Sequence, residues 1–282
     1  PKPIPTLFVH SPIGRNSSHP IHSLMNKAQQ GIARSFARAA SSYDQHALVQ
    51  NQIAQHLAAY LPQGAEYDHI LEFGCGTGLL TKALEGRIKA QHWLLNDLNS
   101  TITEKAEQYL EHQTYTKLIG DISEVLSQIT TPLDLIASAS ALQWIEDPFL
   151  LLTKAKKLLT PQGTLLISTF GERNLHELRT LTGRGLHYFP SSAYREFCSR
   201  NFKDVEVQEE EVVLRFSSLF DLLHHLRATG VTHLPNDNIS YLCGRTQLAQ
   251  LEKEYTTKYP HAQGGVSLTY HPIYIRCSEK LL

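Results

Sequence analysis

Two hydrophobic periods alternate along the middle of the chain. Short apolar runs predict buried strands, and apolar residues spaced three and four positions apart predict helices. The predicted strands are residues 69–73, 92–96, 116–119, 133–138 and 164–170. The predicted helices are residues 78–86, 101–112, 123–128 and 147–159, and Pro161-Gln162-Gly163 separates the last helix from its strand. This alternation predicts a parallel sheet with helices on both faces.

The pattern changes on either side of this unit. Upstream, residues 28–61 have helical spacing with an interruption near Ser41-Ser42. Downstream, the sequence predicts helices and loops over 171–203, one strand over 204–216, helices over 217–259 with a loop near Pro235-Asn236-Asp237, and a last strand over 266–277.

Residues 1–24 are rich in Pro, Ser and His and have no sustained periodicity. We interpret them as a disordered extension or an expression-derived leader that precedes a folded domain over 25–282. Met25 is the only methionine and stands just before the first helical pattern, so we expect a native start there. The intact mass of the protein from its native source would test this.

Composition narrows the class of protein. Apolar residues make up 41% of the 282 residues and charged residues 19%, which is typical of a soluble globular domain. The net charge of −1 favours neither nucleic acid nor a membrane surface as a partner. The four cysteines lack C-x-x-C spacing and the fifteen histidines lack H-x-x-x-H spacing, so we expect no metal site, no disulfide framework and a cytoplasmic location.

A glycine-rich turn follows the first predicted strand. Glu72 closes the strand, and Gly74, Gly76 and Gly78 follow at alternate positions before a helix. A dinucleotide-binding turn has G-x-G-x-x-G spacing and holds a pyrophosphate, which a carboxylate at Glu72 would repel. A carboxylate there attracts an amino group instead. The segment resembles motif I of class I S-adenosylmethionine-dependent methyltransferases, in which the turn holds the amino-acid end of the cofactor.

Two further carboxylates follow the next two strands. Asp97 ends the second strand and can accept hydrogen bonds from ribose hydroxyls, or it can be a helix N-cap. Asp121 follows the third strand and can accept a hydrogen bond from an adenine amino group, with Ile122 against the ring, or it can cap the next helix. After the fourth strand, Ser138 and Gln143 are expected near the cofactor sulfonium, while Trp144 can simply pack the sheet edge. The complete predicted cofactor set is Glu72, Gly74, Cys75, Gly76, Gly78, Asp97, Leu98, Asp121, Ile122, Ser138 and Gln143.

Five longer segments carry a more specific pattern: residues 36–47 (FARAASSYDQHA), 140–144 (SALQW), 174–178 (NLHEL), 226–234 (LRATGVTHL) and 268–271 (LTYH). These segments resemble one methyltransferase family, the malonyl-acyl carrier protein O-methyltransferases of biotin synthesis. The resemblance spans about residues 30–280. It implies a Rossmann-like, seven-stranded, mostly parallel α/β sheet whose last two strands pair like a hairpin. It also implies that residues 28–61 and the insertions 171–203 and 217–263 form a helical lid.

The resemblance implies methyl transfer from S-adenosylmethionine to the free carboxylate of malonyl-acyl carrier protein, an early step of biotin synthesis, with S-adenosylhomocysteine as the other product. A carboxylate is ionised at neutral pH, so the reaction needs neither a strong base nor a metal. Tyr43, Arg227 and Tyr270 are expected to position the substrate. The alternatives are packing for Tyr43, a solvated helix charge for Arg227 and an outward-facing position for Tyr270. We expect a monomer.

The first insertion is also the expected docking surface for the acidic carrier protein. Residues 171–203 carry six Arg or Lys against three Glu, in a chain whose net charge is −1. The docking candidates are Arg173, Arg179, Arg195 and Arg200, and the alternative is an ordinary solvated helix surface. Charge reversal at Arg195 and Arg200 together is expected to raise KM for the carrier substrate.

Other functions stay open at this point. One alternative is methylation of a free small molecule, such as a dicarboxylic acid or a quinone precursor. Another is a non-catalytic protein that binds S-adenosylmethionine as a partner or scaffold. The spacing of the glycines and Glu72 oppose a nicotinamide dehydrogenase. The sequence has no Asn-Pro-Pro-aromatic motif, which disfavours nucleic-acid methylation.

Overall fold

The computed structural model describes residues 27–39, 43–231 and 245–279. Within these residues, seven strands form one sheet in the order β3-β2-β1-β4-β5-β9-β6, and two more strands form a separate antiparallel ribbon, β7-β8. The strands are β1 Glu66–Phe73, β2 Lys89–Asp97, β3 Tyr115–Ile119, β4 Leu133–Ala139, β5 Leu159–Phe170, β6 Asp204–Glu209, β7 Val212–Phe216, β8 Val266–Tyr270 and β9 Pro272–Ser278.

The first five strands are parallel, as the alternation of strands and helices predicted. Glu72 of β1 lies opposite Leu95 of β2 on one side and Ala137 of β4 on the other. Parallel strands end at the same edge of a sheet, so the residues after β1, β2, β3 and β4 converge. The antiparallel strand β9 lies between β5 and β6, which confirms the expected pairing of the last strands.

Helices flank the sheet and cover its carboxyl edge. Asn99, Asp121 and Asp147 cap the helices α5, α6 and α7, each accepting a hydrogen bond from a backbone N–H of the first turn. The helices are α1 Lys27–Ala39, α2 Tyr43–His46, α3 Leu48–Ala59, α4 Leu79–Glu85, α5 Ser100–Glu107, α6 Ile122–Val125, α7 Pro148–Lys156, α8 His176–Thr182, α9 Ser191–Asn201, α10 Leu219–Ala228 and α11 Arg245–Lys258. None of these described helices is long and apolar enough to cross a membrane.

Each face of the sheet has its own hydrophobic core. One core includes Leu57 of α3 and Trp93 of β2, and it continues into the β7-β8 ribbon through Leu268. The other includes Leu152 of α7 and Ile275 of β9. The ribbon and the helices packed on it therefore share a hydrophobic core with one face of the sheet, which fixes their position relative to the sheet.

Three details of the sequence prediction are wrong. Residues 204–216 form two strands in different sheets, β6 and β7, and not one strand. Residues 266–277 likewise change sheets at His271, whose backbone N–H donates to Asn174 Oδ1 at 3.2 Å and not to a neighbouring strand. Residues 161–163 lie within β5 as an irregularity, since Leu133 pairs with Leu159 but Leu135 pairs with Thr164. The Ser41-Ser42 interruption, the loop near Pro235, Met25 and the segment 1–24 lie outside the described residues.

The first insertion is attached to β8 by a buried carboxylate. Glu177 of α8 is only 2% exposed. It accepts hydrogen bonds from the backbone N–H of Thr269 at 3.1 Å and from Thr269 Oγ1 at 2.6 Å. Because Thr269 precedes Tyr270, this contact fixes the backbone that carries one of the predicted site residues.

Candidate active site

A pocket lies at the carboxyl ends of β1 to β4, beneath α1 and α2. We call it the cofactor pocket. Nine predicted residues line it: Tyr43, Glu72, Gly74, Cys75, Gly76, Asp97, Leu98, Asp121 and Ile122. The structure therefore brings together Tyr43 of α2 and residues from the three loops after β1, β2 and β3, which the sequence placed only by their positions after successive strands.

The glycine turn has the backbone that its sequence requires. Gly74, Gly76 and Gly78 all have positive φ, at 62°, 53° and 88°. A Cβ on Gly74 would lie 2.4 Å from Ala141 Cβ, whereas a Cβ on Gly76 would meet no atom within 4 Å. Gly74 is therefore needed for packing within the protein. Gly76 borders the pocket and leaves room for a ligand close to the backbone.

Glu72 is a buried carboxylate. Its side chain is 1% exposed, and its Oε2 accepts a hydrogen bond from Thr81 Oγ1 at 2.8 Å. Burial raises the pKa of Glu72 to about 8, and the nearby Asp97 adds to this increase. A carboxylate in this environment favours a positively charged ligand, because a cation would offset the desolvation of its ionised form. An ammonium group fits this site.

Asp97 holds the turn and β2 together. Its Oδ2 accepts a hydrogen bond from the Gly76 N–H at 3.0 Å, and its Oδ1 accepts one from the Asn99 N–H at 3.0 Å. Asn99, and not Asp97, is the N-cap of α5, so the helix-capping alternative for Asp97 is wrong. Asp121 does cap α6 through Ser123 and lines the pocket as well. Burial raises the pKa of Asp97.

The remaining predicted cofactor residues lie elsewhere. Gly78 packs against α5, where a Cβ would lie 2.6 Å from Ala106 Cα. Ser138 is fully buried in β4, and its Oγ has no hydrogen-bond partner among the described residues. Gln143 donates to the Ser140 carbonyl at 2.6 Å and lines a neighbouring space. Of the three, only Gln143 borders a cavity near the cofactor pocket.

Helices α1 and α2 close over the pocket through specific contacts. Thr77 Oγ1 in the glycine turn donates to Asp44 Oδ1 at 2.7 Å. The Phe36 ring lies edge-on to the Trp144 ring, with their centroids 5.7 Å apart. The centroid of the Phe36 ring is 6.2 Å from that of the Tyr43 ring. Trp144 therefore packs the lid onto the sheet edge. Asp44 and Phe36 were not among the predicted site residues.

A second, smaller space adjoins the cofactor pocket, and we call it the chamber. It has a volume of about 30 Å³, room for a group of a few atoms. Phe36, Tyr43, Gln50, Ser140 and Trp144 line both spaces. The chamber is further lined by Gln143, Phe170, Asn174, Leu175, Leu186, Tyr188, Thr229, Val231 and Tyr270. No Lys, Arg or His is among these described lining residues.

Neutral hydrogen-bonding groups surround the chamber. Burial raises the pKa of both Tyr43 and Tyr270 above the ordinary tyrosine value, so both hydroxyls stay protonated. Tyr270 Oη lies 2.9 Å from His225 Nε2, and the Gln50 side chain also hydrogen-bonds to Tyr270. Gln50 Oε1 is buried without a hydrogen-bond partner among the described residues. A buried acceptor with no partner is expected where a ligand completes the site.

Sequence reasoning missed Gln50 and His225. Both are polar residues on otherwise apolar faces of helices, since Gln50 lies beside Val49 and Ile53 and is 6% exposed. His225 lies next to the buried Leu226 in α10 and is 8% exposed. This pattern, a buried polar side chain on a core-facing helix surface, is the signal that would have found them.

Arg227 does not lie in the chamber. It is exposed on α10 and lines a third, larger space, which we call the outer cavity. The face of α10 that carries Leu222, His225 and Leu226 packs inward, so Arg227 points away from Tyr270's surroundings. The structure therefore places Arg227 in a different space from Tyr43 and Tyr270, and its role toward the substrate carboxylate stays a prediction.

The four predicted docking arginines are divided between two places. Arg173 pairs with Glu211 at 2.5 Å, and Arg179 donates to the carbonyl oxygen of Glu172 at 2.7 Å, both beside α8. The other two lie on α9, which packs on the sheet edge at β6. There, Arg195 donates to the Val207 carbonyl and Arg200 pairs with Glu196. Their docking role stays a prediction.

The strand order, the buried carboxylate before a glycine turn and the carboxylates after the next two strands define a class I S-adenosylmethionine-dependent methyltransferase. Residues 71–165 match the family model described as a methyltransferase domain. The chain is similar to the malonyl-[acyl-carrier protein] O-methyltransferase of Haemophilus influenzae, with 36% identity over 256 residues, 89% of this chain and 95% of that one. It is 35% identical over 245 residues to the enzyme of that name from Porphyromonas gingivalis, covering 86% of this chain and 93% of the relative. The chain belongs to the malonyl-[acyl-carrier protein] O-methyltransferase family.

A solved structure supports the fold independently. Phosphoethanolamine N-methyltransferase 2 of Haemonchus contortus, in complex with S-adenosylhomocysteine, matches with a TM-score of 0.55 and 15% identity. The match covers 93% of this chain and 61% of that chain. The expected fold class, enzyme class and cofactor are confirmed by these comparisons and the observed sheet.

Proposed function

We propose that this protein transfers a methyl group from S-adenosylmethionine to the free carboxylate of a malonyl group carried by acyl carrier protein. The observation that carries this proposal is the chamber of neutral hydrogen-bonding groups that adjoins the cofactor pocket. The relatives' names supply the substrate. The small volume of the chamber suits the short carboxylate end of a malonyl group.

The cofactor pocket fits S-adenosylmethionine. Glu72 would hold the ammonium group of its amino-acid end, and Gly76 would leave space for that end beside the backbone. Asp97 and Asp121 would accept hydrogen bonds from the ribose hydroxyls and the adenine amino group, with Ile122 against the ring. When bound, this cofactor supplies an electrophilic methyl group, which the carboxylate oxygen takes as the carbon–sulfur bond breaks and its electron pair stays on sulfur.

The chamber residues hold the carboxylate without neutralising it. The hydroxyls of Tyr43 and Tyr270 remain protonated and would donate hydrogen bonds to an anionic oxygen, Tyr270 in the His225 tautomer whose Nε2–H donates to its Oη. A paired arginine would bind the anion more tightly and reduce its nucleophilicity. Transfer of the methyl group from a cationic sulfonium to an anionic carboxylate removes both charges. A water-poor chamber with neutral hydrogen-bond donors therefore favours the reaction. No proton needs to move.

The lid residues have a further role in this proposal. Phe36 and Trp144 pack edge-on against each other, and with Tyr43 they border both the pocket and the chamber. This packing excludes water and aligns the carboxylate oxygen with the methyl carbon. The product is a neutral methyl ester, which has lost the charge of the malonyl carboxylate.

Mass spectrometry of the carrier protein tests the proposal directly. Malonyl-acyl carrier protein is incubated with this protein and S-adenosylmethionine, and acetyl-acyl carrier protein serves as the control. A mass gain of one methylene on the malonyl form alone supports carboxyl methylation. No gain on the malonyl form, with S-adenosylmethionine still bound, would contradict the proposed substrate and favour a free small molecule.

A further inference from the structure

The outer cavity lies between α8, α10 and α11, on the side of the chamber away from the cofactor. It has a volume of about 760 Å³, far larger than the chamber. Leu175, Tyr188 and Val231 line both the chamber and the outer cavity. Since the chamber in turn shares residues with the cofactor pocket, the three spaces form one series. The outer cavity therefore adjoins the place where the carboxylate would be held, with Leu175, Tyr188 and Val231 between the two spaces.

We propose that the outer cavity receives the phosphopantetheine arm that carries the malonyl thioester, and that Arg227 binds the phosphate at its outer end. This inference rests on the proposed function and adds the entry route and a recognition residue to it. The arm is a long chain with amide groups and a phosphate, so its site needs an extended apolar space with a cationic end.

The lining of the outer cavity has this chemistry. Its walls are mainly apolar, including Leu178, Leu223 and Leu251. Among the described lining residues, the charged ones are Arg179, Arg184, Arg227 and one acid, Glu254. This excess of positive charge complements a phosphate group. It gives no favourable contact to a ligand whose outer end is apolar.

The three arginines differ in what they already contact. The Arg179 guanidinium donates to the carbonyl oxygens of Glu172 and Asn174 and lies 4.9 Å from the centroid of the Tyr188 ring. Arg179 is therefore held in the cavity wall. Arg184 is exposed but already interacts with another residue. Arg227 is exposed on α10 and lines the cavity, so it is the arginine that we assign to the phosphate.

An exposed aromatic ring lies on the same cavity. Phe220 is 68% exposed and lines the outer cavity one turn before His224. A large apolar side chain with this exposure is typical of a surface that another molecule covers. Together with Arg227, Phe220 gives the mouth both an apolar and a cationic contact for the arm.

The test compares substrates that differ only in the phosphate. Methyl transfer is measured on malonyl-acyl carrier protein, malonyl-4′-phosphopantetheine and malonyl-pantetheine, with wild-type protein, Arg227→Ala and the control Lys253→Ala. Lys253 is an exposed cation on α11 that does not line the cavity. Arg227→Ala is expected to raise KM about three- to tenfold for the two phosphate-containing substrates and to leave KM for malonyl-pantetheine unchanged. If the free arms are not turned over, phosphopantetheine and pantetheine are compared as inhibitors.

A second variant fills the cavity. Leu223→Trp places a larger ring in the outer cavity, and Leu150→Trp, on exposed α7 surface, is its control. Leu223→Trp is expected to raise KM for every arm-bearing substrate while the Kd of S-adenosylmethionine and the melting temperature stay near the wild-type values.

The outcomes separate the two proposals. Wild-type protein that methylates none of the malonyl substrates would contradict the proposed function itself. The entry route alone would be overturned by a different set of results. In that case the wild-type protein is active, Arg227→Ala and Lys253→Ala have equal KM values on phosphate-containing substrates, and Leu223→Trp has no effect.

Discussion

Tyr270 Oη and His225 Nε2 lie 2.9 Å apart, between a strand of the β7-β8 ribbon and the core-facing side of α10. Tyr270 is 1% exposed and His225 is 8% exposed, so the hydrogen bond is shielded from water. The pair joins the β7-β8 ribbon to α10 of the second insertion at the wall of the chamber. The direction in which the Tyr270 hydroxyl points therefore depends on His225.

Removal of the Tyr270 hydroxyl tests its role in the chamber. Tyr270→Phe is expected to lower kcat/KM about ten- to a hundredfold, the effect of losing one hydrogen bond to a charged group, with an unchanged Kd for S-adenosylmethionine. The matched control is Tyr255→Phe, because Tyr255 is equally buried and donates to the Ser267 carbonyl at 2.8 Å but does not line the chamber. Equal kinetic loss in both variants would assign Tyr270 a structural role only.

The acid sensitivity of the fold is expected to depend on His225. Burial lowers the pKa of His225 to about 4, and the nearby His46 and His224 add to this decrease. Between pH 6.5 and 4 the unfolded chain binds a proton at this residue and the folded chain does not, so the free energy of unfolding falls as the pH falls. Urea unfolding of His225→Gln across this range is expected to show a shallower dependence on pH than wild type. The control is His112→Gln at an exposed position, and equal slopes in all three proteins would contradict the prediction.

Glu72 is expected to control cofactor binding. Glu72→Gln keeps an acceptor for Thr81 but cannot take on the negative charge that the carboxyl acquires when a cationic ligand binds, so the Kd of S-adenosylmethionine should rise about ten- to a hundredfold. Isothermal titration calorimetry measures this, with Glu66→Gln on exposed β1 as the control. An unchanged Kd in Glu72→Gln would exclude an ionic contact with the ligand.

Proton release gives a second measurement on Glu72. Its pKa is about 8 in the ligand-free protein, so the carboxyl is largely protonated at pH 7. A cationic ligand lowers this pKa, and binding at pH 7 should therefore release a proton to the buffer. Titrations in buffers of different ionisation enthalpy measure the release. Glu72→Gln should abolish it.

Alanine substitutions at two glycines of the same turn are expected to affect different properties, the stability of the fold in one case and cofactor binding in the other. Gly74→Ala brings its Cβ to 2.4 Å from Ala141 and is expected to destabilise the fold strongly. Gly76→Ala meets no neighbour, so it should fold with a loss of about 1–2 kcal/mol for its positive φ but bind S-adenosylmethionine more weakly. Thermal unfolding with and without S-adenosylmethionine separates the two. A normal ligand-induced stabilisation of Gly76→Ala would contradict the close approach of the ligand.

The sequence predicted the parallel sheet and the cofactor pocket well, because their signals are local. The strand, the glycine turn and the helix after Glu72 are contiguous, and parallel pairing brings Asp97 and Asp121 to the same edge. The split of the last strand at His271 was not predictable in this way. It depends on a hydrogen bond to Asn174, a residue 97 positions earlier in the chain.

The substrate side of the site was predicted less completely. Tyr43 and Tyr270 do converge on one chamber, as the family resemblance implied. The placement of Arg227 depends on which face of α10 packs inward, and a helix with apolar residues around His225 leaves that choice to tertiary packing. Gln50 reaches the chamber because α3 packs against β4 and β5, which no local pattern records.

The absence of a cationic side chain among the described residues of the chamber also bears on product release. Neutral donors hold an anionic oxygen through charge-assisted hydrogen bonds, and methylation removes that charge. The ester then keeps only ordinary hydrogen bonds to the same hydroxyls, and no guanidinium or ammonium is left buried without its counter-ion. The chamber therefore loses affinity for its ligand in the same event that completes the reaction, which favours rapid turnover and weak inhibition by the methyl ester.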